Sequence, residues 1–291
     1  MTNASPSAVI GAQNYLSGKP RALGRGKRIG VTSAVVLAIA LLAAYIMASG
    51  AFNWSIIWAF FFHPAILSGL VMTLELTALS MIIGVLLGVA LAVMAVSRYP
   101  AVSAASALYV WMFRGTPLLV QLIFWFNIAL VFPTIGFGGW SISVNALVTP
   151  FMAALLGLGL NEGAYMSEIV RAGISSVDKG QREAAQSVGL GGGQVMTHII
   201  LPQALKVIIP PTANQTIGML KNTSLVSVIG AQELLTKSED IYARNFQVIE
   251  LLIVASLWYL ALTTIASGIQ YWLERRFGDD RAVRPTLGEQ A

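Results

Sequence analysis

Four ionisable residues, Glu75, Arg114, Glu162 and Lys221, lie inside long apolar stretches. A charge near the centre of a bilayer costs roughly 2.5–3.5 kcal/mol on insertion scales, so each must face a polar cavity, another charge or a partner chain. Two chemistries fit such residues: they bind a polar solute crossing the membrane, or they pair with one another as structural salt bridges. Glu162 is the sharpest case, because it follows Asn161 and can share a helix face with Tyr165, three residues on. If its helix ends near Val170, it lies about 12 Å above the cytoplasmic boundary, well inside the roughly 30 Å core. A carboxylate there offers charge-assisted hydrogen bonds to an ammonium group. Lys221, about 21 Å along from Val207, could serve the carboxylate end of the same solute. Arg114 is the weaker member, since a helix starting near Tyr109 leaves it snorkelling at the inner interface.

Catalysis is not expected. No GxxxxGK[ST] phosphate loop occurs, and the glycine-rich run from Gly189 to Gly193 lacks the lysine that would follow. There is no Ser/His/Asp constellation, no helical HExxH and no paired-aspartate motif. The chain has no cysteine, and neither His63 nor His198 has a partner at ligand spacing, so no metal or cofactor is expected.

Of 291 residues, 56% are hydrophobic and 11% charged, with a mean hydropathy of +0.73. That is too apolar for a soluble domain of this length and points to an integral membrane protein. The net charge of +5 and pI near 9.6 come from basic residues beside apolar runs, not from one stripe. They read as topology signals, and nucleic acid is not an expected partner.

The elements that must position the four charges follow from apolar length. A basic tail, 1–28, precedes a first span within 29–49 and an aromatic interfacial segment reaching residue 66. A leader peptide is the alternative for this span, but its apolar core exceeds the usual length. Further spans are predicted over Leu67–Val96, within Ala101–Val131, over Asn145–Val170, Val207–Gly230 and Val248–Leu273. The third is broken at Gly115-Thr116-Pro117. Gly84 and Gly88 in the second form a GxxxG pair suited to close helix contact. Phe132–Val144 and Gln232–Gln247 are predicted as outer loops, and 274–291 as a C-terminal tail. Basic residues test the six-span arrangement: Arg98, Arg171, Lys179, Arg182 and those of both tails fall on one side, against Lys237 and Arg244 on the other. The bias places both termini in the cytoplasm.

Between the fourth and fifth spans, 171–206 is polar and glycine-rich and cannot lie in lipid. Asp178 with Gln181 fits a capping box, and Gly189 stands where a left-handed helix end is wanted. Pro202 is predicted to stop a second short helix near Leu201. Glu183-Ala184-Ala185, then Gly189, Ile199 and Leu201-Pro202, resemble the EAA loop of ABC importer membrane subunits. Arg114 to Gln121, Gly163-Ala164-Tyr165 with Glu168, and Lys221 to Leu225 resemble the polar amino acid branch of that family. The similarity covers roughly Leu67 to Glu274.

The resemblance implies an all-α polytopic membrane bundle of about six helices, a type I ABC importer-like core (67–273) with one extra N-terminal helix. It implies the permease subunit of an ATP-driven amino acid importer in a bacterial inner membrane. Its partners would be an ATP-binding subunit docked on the elbow at Glu183, Ala184, Ala185, Gly189, Ile199, Leu201 and Pro202, a second permease (this chain or a paralogue), and a periplasmic or lipid-anchored substrate-binding protein. The candidate substrate path is Glu162, Tyr165, Lys221, Arg114 and Glu75. A secondary transporter driven by an ion gradient is the alternative, and it would be expected to show repeated halves.

Overall fold

The computed structural model describes residues 25–48, 50, 52–137 and 139–277. The tails 1–24 and 278–291 lie outside the described residues. The chain divides into two units, residues 1–53 and 54–291. Among its described residues the first holds α1 (Arg25–Ala48).

The second unit begins with α2 (Trp54–Phe61), the expected aromatic interfacial segment. Trp258 ties it down by stacking on Phe61 at 4.8 Å and donating its indole N–H to the Phe61 carbonyl at 2.8 Å. His63 then caps α3 (Pro64–Ala95), its ring nitrogen accepting from the Ala65 amide at 3.2 Å, with Pro64 in the first turn where no amide is needed. α4 (Pro100–Gly115) and α5 (Leu118–Phe126) follow, bent 102° apart. A hairpin pairs β1 (Thr134–Phe137) with β2 (Trp140–Ser143), antiparallel. It occupies the segment predicted as an uncharged outer loop.

α6 (Pro150–Ser175) is the central helix. It runs in the same direction as α3, since Gly84 lies against Glu162 and Gly88 against Met166 four residues further along both chains. The predicted GxxxG contact is therefore present, with α6 as its partner. Glycines of α6 answer it: Gly159 and Gly163 receive Ile83 and Leu87. Small residues allow this approach, and the dispersion contacts it creates replace the hydrophobic drive that lipid does not supply.

Beyond α6 come α7 (Lys179–Ser187), α8 (Leu201–Asn222), α9 (Leu234–Asn245) and α10 (Val248–Phe277). Leu76, Leu122, Leu158, Met219 and Val226 form the main core, joining α3, α5, α6, α8 and the 3-10 turn after it. A second cluster of Ala92, Met166, Val170, Ala204 and Ile208 closes the half of the bundle next to the 176–200 segment.

Among the described residues, α3 and α10 are long and apolar enough to cross a membrane, with mean hydropathies of 2.6 and 2.0, and the bent α4–α5 pair would make a third span. α6 and α8 reach 26 and 22 residues but are more polar, and within α1 the described stretch Ile29–Leu41 is apolar. For α6 the reason is its central place, where Asn161, Glu162 and Ser167 are buried in protein and do not meet lipid.

Two predicted boundaries need correction. α6 continues to Ser175, so Arg171 belongs to the helix and the elbow is shorter than 171–206. Gln232–Gln247 is mostly helix, capped by Glu233, whose carboxyl accepts from the Leu235 and Thr236 amides. Its charges masked that helix, because apolar length registers spans and misses polar helices at their ends.

Candidate functional site

The site starts from a missing amide. In an unbroken helix the Phe113 carbonyl would accept from residue 117, but Pro117 has no N–H. Two buried side-chain amides take its place: Gln121 Nε2 donates to the Phe113 oxygen at 2.8 Å and Asn161 Nδ2 at 3.0 Å. Asn161 also donates to Gln121 Oε1 at 3.2 Å, so α6 holds the bend directly. Gln121 further reaches the Thr116 hydroxyl at 2.7 Å. The Tyr109 hydroxyl adds a bond to the Leu160 carbonyl at 2.9 Å.

The bend opens a cavity of about 450 Å³ lined by residues that include Arg114, Asn161, Glu162, Tyr165, Gln215 and Asn222. Glu162 is 4% exposed, and Gln215 Nε2 donates to its Oε1 at 3.3 Å. Among the described residues it has no cationic partner, which removes the predicted alternative of a salt bridge to Lys221 or Arg114. Arg114 sits over the Tyr165 ring at 5.3 Å and 4.0 Å from Glu168. Glu168 is held more tightly by Arg171, at 2.6 Å. Arg114 is thus half-exposed and only loosely engaged.

Of the five residues predicted for the substrate path, the structure gathers Glu162, Tyr165 and Arg114. Glu75 and Lys221 do not line the cavity and are exposed on the flanks of α3 and α8. Gln215 was absent from the prediction. Its only sequence signal was an amide in a predicted span, near Thr212 and Thr216.

The elbow is a compact piece with its own small core, Ala185, Val195 and Ile200. Asp178 caps α7 by accepting from the Gly180 amide at 2.7 Å, while Gln181 makes no reciprocal bond among the described residues. Gly189 has φ +86°, with its amide on the Gln186 carbonyl at 3.0 Å and the Leu190 amide on Ala185 at 3.2 Å, a Schellman end as expected. Pro202 does not end the following helix. A π turn, Val195–Ile200, runs into α8 without a break. Bonding five residues apart passes over the amide that proline lacks, so the helix survives. Ala185 is buried and Ile199 half-buried, whereas Glu183, Ala184, Leu201, Pro202 and Val188 are exposed.

At the opposite end, Glu233 is wholly buried and accepts from Tyr259 Oη at 2.5 Å, joining α9 to α10. Nearby Glu239 has its carboxyl raised above the ordinary range by burial, then by Glu233 and Asp240.

Residues 82–279 match the family described as binding-protein-dependent transport system inner membrane component. The arginine transport system permease protein of Corynebacterium glutamicum is 43% identical over 249 residues, 84% of this chain and 79% of that one. The L-cystine transport system permease protein of Bacillus subtilis is 39% identical over 223 residues, 76% of this chain and 89% of that one. A crystal structure of an amino acid ABC transporter with histidines shares the fold at TM-score 0.66 and 37% identity, covering 73% of this chain and 94% of that one. The inward-facing MetNI methionine ABC transporter, at 19% identity and TM-score 0.57, supports the fold alone. With the bent third segment, the elbow and the matched span all in place, the chain belongs to the family of inner membrane components of binding-protein-dependent transport systems.

Proposed function

We propose that the cavity at the α4–α5 bend holds the amino acid carried by an ATP-driven importer, with Glu162 receiving its ammonium or cationic side chain. The carrying observation is a buried carboxylate that faces a cavity and has a neutral amide as its partner. A volume of about 450 Å³ falls within the roughly 300–1,000 Å³ usual for small-molecule sites. Arg114, loosely held, is placed to meet the carboxylate of the same solute. Relatives named for arginine, cystine and glutamine transport support a polar amino acid. ATP hydrolysis belongs to a separate subunit in this family, and a substrate-binding protein delivers the solute. The ion-gradient alternative has no observation in its favour. A second permease subunit and cytoplasmic termini complete the reading.

Glu162→Gln tests the cavity. A charge-assisted hydrogen bond contributes about 1.5–3 kcal/mol, so the KM for uptake is expected to rise at least about tenfold. Complex yield and basal ATPase activity stay near normal, because Gln215 can still bond an amide. Failure to assemble, or unchanged transport kinetics, would reject the assignment.

Gly189→Val tests the elbow as the ATPase-docking element. A side chain there meets no atom within 4 Å, so the whole effect comes from φ +86°, which costs a β-branched residue about 1–2 kcal/mol or more. The variant is expected to insert normally and lose about tenfold in ATPase co-purification or in substrate-stimulated hydrolysis. Full uptake from an intact complex would show that docking lies elsewhere.

A further inference from the structure

No Asp, Glu, Lys, Arg or His occurs between Arg114 and Glu162. The β1–β2 ribbon stands within that uncharged run, and its register sorts residues by face. Ile135 pairs with Ile142 and Phe137 with Trp140, while Thr134 pairs with Ser143 and Gly136 with Ser141. Faces alternate along a strand, so the first two pairs share one face and the last two the other. One face is built from apolar residue types alone, the other from hydroxyls and a glycine. The ribbon stands clear of the bundle: Thr134, Ile135, Gly136, Ser141 and Ser143 are exposed and Ile142 is half-buried. Apolar exposure continues through Leu130, Val131 and Phe132 before it and Leu147 after it.

Its place follows from α6. Only residues 144–149 separate β2 from the start of that helix at Pro150. The helix then runs 26 residues to Ser175 beside the elbow, about 39 Å at 1.5 Å per residue, against a hydrocarbon core of roughly 30 Å. The ribbon therefore lies at the membrane boundary opposite the elbow.

A lone two-stranded ribbon is marginal in water, and an open apolar face needs a cover. Soluble partners dock on an apolar centre with a polar rim, and no charge stands on this segment. The neighbouring connection at the same end, 232–247, carries Glu233, Lys237, Glu239, Asp240 and Arg244, the composition of a surface that meets water. The hydrocarbon core is excluded too, because the ribbon's free edges leave backbone N–H and C=O groups unsatisfied there. The level that fits both faces is the headgroup region, where uncharged aromatic and aliphatic residues collect above the acyl chains.

We propose that the β1–β2 ribbon lies flat in the lipid headgroup region, the face with Ile135 and Ile142 toward the acyl chains and the face with Thr134 and Ser143 toward water. It anchors the ends of α5 and α6, the elements that shape the cavity. With cytoplasmic termini, as read above, this is the outer leaflet; contact with lipid does not depend on that reading.

The chain lacks cysteine, so Ile135→Cys and Ser141→Cys place a single thiol on each face. Each variant, purified with its ATPase subunit, would carry a polarity-sensitive fluorophore in nanodiscs of phosphatidylethanolamine and phosphatidylglycerol, with and without nitroxide-labelled lipid. Ile142→Cys is a second probe of the apolar face should Ile135→Cys not assemble. On the apolar face, nitroxides just below the headgroup should quench the label more strongly than nitroxides at the bilayer centre. Aqueous iodide should quench it at least about fivefold less than the label on the polar face. Equal iodide quenching on both faces would place the ribbon in water and overturn the proposal. Protection from iodide without quenching by lipid nitroxides would also overturn it, showing that protein covers the face: a second copy, or the substrate-binding protein where protection needs its addition.

Discussion

Glu233→Ala is expected to reduce the yield of folded permease at least tenfold and to lower its unfolding temperature. The Glu233 carboxyl accepts from the Leu235 amide at 3.0 Å and the Thr236 amide at 2.8 Å, which are early orphan donors of α9. It also takes the Tyr259 hydroxyl at 2.5 Å and, more weakly, the Thr73 hydroxyl at 3.5 Å. Three helices, α3, α9 and α10, therefore meet on one side chain with no exposure to solvent. Alanine would strand several buried donors, each costing about 1–3 kcal/mol, besides the cap itself at about 0.5–2 kcal/mol. Against a total stability of roughly 5–15 kcal/mol, that sum is decisive. Glu233→Gln keeps one acceptor oxygen and should fall between wild type and alanine. Fluorescence-detected size exclusion with a thermal ramp measures both quantities, and an alanine variant with unchanged yield and midpoint would show that the outer end is held by packing alone.

The sequence made this node hard to see for a physical reason. Glu233 is not among the usual capping residues, and its partners Thr73 and Tyr259 are distant in the chain, so no local pattern joins them. Gly189 and Pro117 were legible because each acts through its own backbone: one needs a left-handed φ, the other removes an amide. Pro202 follows the same local rule but misled, because a preceding π turn changes which amide is required. Among the four intramembrane charges, depth could be read from apolar length but the helix face could not. Leu76 is fully buried while Glu75, about 100° around the same helix, is exposed. Glu162 and Lys221 look alike as charges in apolar runs, and only packing separates a cavity residue from a flank residue.

The glycines of α3 are expected to divide assembly from transport. A Cβ at Gly88 would lie 2.9 Å from the Met166 carbonyl carbon and 2.9 Å from the Ser167 amide nitrogen. Those are backbone atoms of α6 and cannot step aside. Gly88→Val must therefore push the two helices apart along their closest seam. Overpacking of this kind costs about 1–3 kcal/mol or more, in a bundle whose α3–α6 contact depends on backbone approach, so recovery of assembled complex should fall about tenfold or further. At Gly84 the added Cβ would meet Glu162 Cγ at 2.5 Å and Glu162 Cβ at 2.7 Å, while the nearest α6 backbone atom among its three closest contacts is 3.4 Å away. Glu162 Cγ can rotate away, but Glu162 Cβ is fixed by the α6 backbone, so a small separation of the helices must accompany the rotation. Gly84→Ala is thus expected to lower recovery of the complex less than Gly88→Val does and to turn the Glu162 carboxylate away from Gln215, raising the KM of the assembled fraction about tenfold, much as Glu162→Gln does. Combining Gly84→Ala with Glu162→Gln should add little, because both act on one group. Transport that stays normal in Gly84→Ala, or losses that multiply in the double variant, would show that the carboxylate's position at the cavity is not what this glycine protects.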